Sequence, residues 1–108
     1  MLENCLVQMS PSFFATIYIS GPLHKAEDIC RKFVARGACV NVSESNFIFK
    51  FGEQKGVSIT FINYPRFSKP QSEILKDATD LGFLLMEGMN QGSFTIMTPT
   101  ETVLYDRR

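Results

Sequence analysis

Apolar residues change their spacing four times along this chain, and the order of those changes restricts the fold more than any other feature. In "FFATIYIS" they alternate: Ala15, Ile17 and Ile19 fall on one side of an extended segment, and Phe14, Thr16 and Tyr18 on the other. Gly21-Pro22 ends that strand. From Leu23 to Arg36 the spacing becomes three and four, with Ala26, Ile29, Cys30 and Phe33 forming one buried stripe of a helix that Gly37 closes in the left-handed conformation. Residues 38 to 64 alternate again, in "ACVNV", "NFIFKF" and "VSITFINY". The interruptions "SES" and "GEQKG" divide them into a three-stranded meander, or two strands of which the first is bent.

A second helix is predicted to begin near Ser68, with Gln71 completing a capping box and Pro70 in the first turn. Ile74, Ala78, Leu81 and Leu85 make its core stripe, and Gly88, Asn90 and Gly92 offer ways to end it. "SFTIMT" and "TVLYD" follow as strands around Thr98-Pro99-Thr100-Glu101, and "NCLVQM" near the start reads as a further short strand. Two amphipathic helices and short connections predict an α+β two-layer sandwich: a mainly antiparallel sheet with both helices on one face, ferredoxin-like or a variant. Residues 1–108 are read as one such domain, since 108 residues with 44% apolar composition fill a single core.

Several function classes are disfavoured by composition. Eleven basic and eleven acidic residues cancel, so no long-range field gathers phosphate backbones, and nucleic acid is not the expected partner. An RNA-recognition platform would need aromatic rings on two strands; "IYIS" supplies Tyr18, but Val57 and Ile59 fall where the other rings belong. Cys5, Cys30 and Cys39 have no metal-ligand spacing and read as reduced thiols in a cytoplasmic protein. Neither a signal peptide nor a membrane span is predicted, and no metal or cofactor is assigned.

Two sets of residues stand out as candidate sites. In "IYISGPLHKAEDIC" a strand runs through Gly-Pro into a helix, which aims free backbone amides at a ligand; the plainer reading is a tight turn that needs a small residue and a rigid one. The only histidine, His24, follows directly; Asp28 one helical turn on is placed to orient its ring, and the plainer reading is a lone exposed histidine near a helix start. The stretch, with "ARGACVNVSES", resembles the start of nucleoside 2-deoxyribosyltransferase-like proteins over residues 17–45, about a quarter of the chain. That resemblance implies a nucleoside pocket bordered by Tyr18, Ser20, Gly21 and Pro22, with His24 beside it, and a parallel sheet.

The second set is an interface. Phe47, Phe49 and Phe51 in "NFIFKFG" project to one side of an extended chain, and "NYPRFSKP" adds Tyr64, Arg66 and Phe67, residue types that anchor protein contacts. Ten phenylalanines exceed what one helix-covered layer uses, so the uncovered sheet face calls for a second layer, most simply another copy in a homodimer. With no catalytic constellation evident, the residues favour a small non-enzymatic interaction module, an accessory or inhibitory factor with an unidentified protein partner. The alternative is a nucleoside- or nucleotide-binding protein, or a deoxyribosyltransferase-like enzyme, working at the strand-Gly-Pro-helix turn.

Overall fold

In the computed structural model, residues 4–107 are described. Five strands and two helices follow one another as β1 (Phe14–Ser20), α1 (Leu23–Phe33), β2 (Asn41–Phe49), β3 (Gly52–Ile62), α2 (Gln71–Gly88), β4 (Ser93–Met97) and β5 (Thr102–Asp106). The strands lie in the order β2-β3-β1-β4-β5, and every neighbouring pair is antiparallel. This is the expected α+β arrangement, a ferredoxin-like strand order extended by β5. Its uniformly antiparallel sheet contradicts the parallel sheet that the deoxyribosyltransferase resemblance implied.

Alternation on β1 decides where the core sits. Ala15, Ile17 and Ile19 are buried with Val57, Ile59 and Phe61 of β3, and the stripes Ala26, Cys30 and Phe33 of α1 and Ile74, Ala78, Leu81 and Leu85 of α2 close over them. The two helices pack together above this face, and α2 lies against the central strand. Thr16, Ser58, Thr60 and Thr95 occupy the alternate positions, where Thr16 Oγ1 and Thr60 Oγ1 lie 3.0 Å apart in a cross-strand hydrogen bond. Much of the open face is therefore hydroxylated, less greasy than the phenylalanine count suggested.

Several local expectations are corrected. Residues 4 to 9 form no strand, and neither edge of the sheet, β2 or β5, takes the segment up. Instead Ser10 Oγ donates to the Asn63 carbonyl at 2.6 Å and Asn63 Nδ2 donates to the Pro11 carbonyl at 2.9 Å, pinning the segment from the side. "SES" lies inside β2 and "GEQKG" inside β3, so the meander reduces to one long hairpin turning at Lys50-Phe51. Cross-strand pairing satisfies the backbone there regardless of polar side chains. Helix α2 starts at Gln71 with Pro70 at its N-cap and no side-chain cap, so the Ser68 capping box does not form. It ends where Asn90 takes φ 55°, while Gly37 closes the α1 region at φ 99° as expected.

The hairpin reaches past the body of the sheet. Pairing of β1 with β3 stops at Ser20↔Gly56, whereas β2 and β3 continue to Phe49↔Gly52. The result is a two-stranded ribbon and a molecule extending 54 × 28 × 27 Å. At its tip Ile48 is 76% and Phe51 88% exposed.

Candidate functional site

The end of β1 and the turn into α1 form the candidate site. Gly21 adopts φ 136°, a region that side chains disfavour, and a Cβ there would lie 2.7 Å from Met89 Sδ. Both constraints demand glycine. Its amide donates to the Lys55 carbonyl at 3.2 Å, which ties the turn to β3. Pro22 is the N-cap of α1 and provides no side-chain cap, and no acidic residue occupies the first turn. The first amides of α1 and the positive end of its dipole therefore face outward beside Gly21.

Two separate concavities flank the Ser20–Gly21 step, Ser20 lining one and Gly21 the other. One, about 200 Å³, lies on the open sheet face among Tyr18, Ser20, Phe47, Ser93 and Thr95. The Tyr18 and Phe47 rings meet edge-on there, 6.4 Å between centroids at 76°. Phe47 fits because β3 carries Gly56 beneath it: a Cβ on Gly56 would lie 2.5 Å from Phe47 Cε2 and would collide with the Ile19 carbonyl oxygen. The other, about 610 Å³, runs beside Gly21, Pro22 and His24 and is bounded by Glu27, Glu44, Gln54, Lys55 and Gln91. The smaller thus offers aromatic faces and hydroxyls, and the larger carries charges of both signs. Among the described residues no group of His, Cys, Asp and Glu is placed to hold a metal ion.

Of the sequence candidates, Tyr18 and Ser20 line the smaller concavity and Gly21, Pro22 and His24 the larger one. His24 is exposed, and Asp28 accepts from Arg31 Nη1 at 2.8 Å rather than orienting the imidazole. Glu44, Gln54, Lys55, Gln91, Ser93 and Thr95 were not anticipated. They are ordinary polar residues on separate elements, and only strand register gathers them. The expected interface set is not one surface. Phe47, Phe49 and Phe51 lie along the ribbon, whereas Tyr64, Arg66 and Phe67 follow the far end of β3, about 30 Å away at the rise of an extended strand. Phe47 is also turned inward against Tyr18.

Cys30 is buried, and burial, with the nearby Glu27 charge, pushes its thiol up to about 11. It is a core residue and not a nucleophile. No helix among the described residues is long and apolar enough to cross a membrane.

No protein-family model and no curated protein sequence matches the chain. Two solved structures do share its fold. A phage SAM lyase in its apo state aligns with a TM-score of 0.69 at 14% identity, over 97% of this chain and 98% of its own. A phage SAM lyase in complex with S-methyl-5'-thioadenosine aligns with a TM-score of 0.64 at 15% identity, over 94% of each chain. These likenesses correct two expectations. The short resemblance to nucleoside 2-deoxyribosyltransferases gives way to a structural match over nearly the whole chain with a different enzyme. The non-enzymatic interaction module gives way for the same reason, since the architecture from end to end is one that an enzyme uses.

Proposed function

We propose that this protein binds an adenosine-containing sulfonium compound at the Ser20–Gly21 step and, as a lyase, splits S-adenosylmethionine to release methylthioadenosine. The observation that carries this reading is the coincidence of a fold match over 97% of the chain with two concavities flanking the Ser20–Gly21 step, one aromatic and hydroxylated and one charged, that suit the two parts of that substrate. Tyr18 and Phe47 supply ring faces for the adenine and for the sulfonium charge. Ser20, Ser93 and Thr95 supply hydroxyls for the ribose and base edges. Glu27 and Glu44 suit the ammonium of the amino-acid part, while Lys55 and the outward amides of α1 suit its carboxylate.

As an oxygen of the substrate's own carboxylate bonds to the carbon next to sulfur, the carbon–sulfur bond breaks with its electron pair staying on sulfur, so the sulfonium becomes a neutral thioether and the amino-acid chain leaves as a lactone. Surroundings of low polarity penalise the charged reactant more than the neutral product, so half-buried aromatic walls favour cleavage. The test is direct: purified protein is incubated with S-adenosylmethionine, and methylthioadenosine is followed by chromatography. Turnover that falls at least about tenfold in Tyr18→Ala, the worth of one stacked ring, supports the reading. No product, together with no calorimetric binding of methylthioadenosine, overturns it.

The ribbon tip supports a second element of this reading, a homodimer. An isolated two-stranded hairpin is marginal in water, and this one exposes Ile48, Phe49 and Phe51 beyond the last pair with β1. A second copy covers such a tip without any other partner, and sedimentation mass tests it. Three cysteines at unrelated spacings suit a cytoplasmic, reducing compartment.

A further inference from the structure

At the opposite end of β3 from Gly56, past Phe61, lies a cavity of about 300 Å³ that the proposed reaction leaves unused. It is about 20 Å from the Ser20–Gly21 step, at the rise of the six strand positions between Gly56 and Ile62. Its walls are apolar, formed by Phe61, Ile62, Phe67 and Ile74. Its polar groups are mostly donors. Lys69 Nζ donates to the Gly37 carbonyl at 3.1 Å and to Asp77 Oδ2 at 3.2 Å, which leaves one ammonium hydrogen. The Tyr64 hydroxyl pairs with the Cys39 sulfur, and that pairing with burial raises the phenol pKa, so the hydroxyl keeps its proton.

The one carboxylate on the wall, Asp77, is already engaged on both oxygens, since Arg36 Nη1 reaches Asp77 Oδ1 at 3.5 Å. Arg36 also bonds Asp80 at 3.0 Å, and Lys76 bonds Asp80 at 2.8 Å. Three cations against two carboxylates leave this cluster one positive charge in excess. Alongside it, the first turn of α2 carries Glu73, which offsets the positive end of that helix, so the excess rests on the side-chain cluster alone. An apolar slot with one unengaged ammonium hydrogen, beside side chains that carry one positive charge in excess, is complementary to one kind of small molecule.

We propose that this cavity is a second ligand site, for a small monocarboxylate with an aromatic or branched apolar body, its carboxylate on Lys69 and its body between Ile62 and Phe67. The site stands independently of what binds at Gly21.

Cys39 is exposed on the cavity wall and serves as the reporter. In a Cys5→Ser background Cys39 is the accessible thiol among the described residues, because Cys30 is buried with its thiol pushed up to about 11. The rate of Cys39 alkylation by iodoacetamide is followed by intact mass with increasing 3-phenylpropionate, and with 3-phenylpropylamine and 3-phenylpropanol as controls. Saturable protection by the acid, at least about tenfold tighter than by the alcohol, is the expected gain from one charge-assisted hydrogen bond. Lys69→Met should abolish that preference, and Phe67→Ala, at an exposed ring, should weaken protection by acid and alcohol alike. Equal protection by the amine or the alcohol, or no saturation by the acid, overturns the proposal, and methylthioadenosine binding measured alongside remains unaffected either way.

Discussion

Tyr18 on the central strand holds Phe47 of the projecting hairpin edge to face, their ring centroids 6.4 Å apart at 76°, so the arm and the candidate site share one aromatic contact. The contact exists because Gly56 presents no side chain beneath Phe47. Gly56→Ala places a methyl group 2.5 Å from Phe47 Cε2. The ring must swing away and the β1 backbone must shift at the Ile19 carbonyl, at a cost of at least about 1–3 kcal/mol by the usual penalty for overpacking. Denaturant unfolding measures that loss, and ligand binding should weaken with it.

Tyr18→Phe and Tyr18→Ala separate ring from hydroxyl. If the ring carries nucleoside recognition, the phenylalanine variant keeps most of its affinity for methylthioadenosine, and the alanine variant loses roughly tenfold or more, about 1–3 kcal/mol per stacked base. Calorimetry distinguishes the two. Equal losses in both variants would transfer the role to the hydroxyl.

Gly82 of α2 faces Phe94 of β4 so closely that a Cβ would lie 2.6 Å from Phe94 Cζ. Phe94 has little room to retreat, being stacked on Tyr105 at 4.8 Å and met edge-on by Phe83 at 5.2 Å. Gly82→Ala should therefore destabilise the fold by about 1–3 kcal/mol although alanine is the better helix former. A midpoint equal to or above that of the parent protein would show that the helix shifts freely.

Hydrogen bonds from Lys76 and Arg36 hold the Asp80 carboxyl below its ordinary value of 3.8. A carboxyl depressed on folding adds stability that is complete above the unfolded value and is lost as pH falls through the lower folded one. Stability measured across the acid range should drop there, and Asp80→Asn should flatten that part of the profile. The effect is small, because the group is partly solvated and screened.

Phe51→Ser at the ribbon tip removes a ring that is 88% exposed and touches none of the buried core. Its folded-state cost should fall within the range of about 0.5 kcal/mol typical of surface changes. If the tip meets a second copy, sedimentation should show the mass falling toward that of a monomer. An unchanged mass would place any self-association elsewhere.

Much of the architecture was legible in the residues because it depends on period alone. Ala15, Ile17 and Ile19 announce an inward strand face, and Ile74, Ala78, Leu81 and Leu85 a helix stripe, whatever surrounds them. Gly21-Pro22 was legible for a similar reason, since few other residues make so abrupt a change from strand to helix. Segments whose state depends on a partner were not. "SES" and "GEQKG" look like turns in isolation, yet each finds cross-strand hydrogen bonds once β2 and β3 align, whereas "NCLVQM" looks like a strand and joins no sheet.

The chain's own pattern thus determined the alternation of elements, the two helical stripes and the glycine turn at the end of β1, because these follow from local backbone geometry and the placement of apolar side chains. Tertiary structure alone decided that Glu44, Gln54 and Lys55 of the hairpin, Gln91 after α2, and Ser93 and Thr95 of β4 converge on that turn. It also decided that Phe47 faces Tyr18 while Phe51 faces water. Antiparallel register sets such meetings, and register is a property of strands in pairs, written in neither strand by itself.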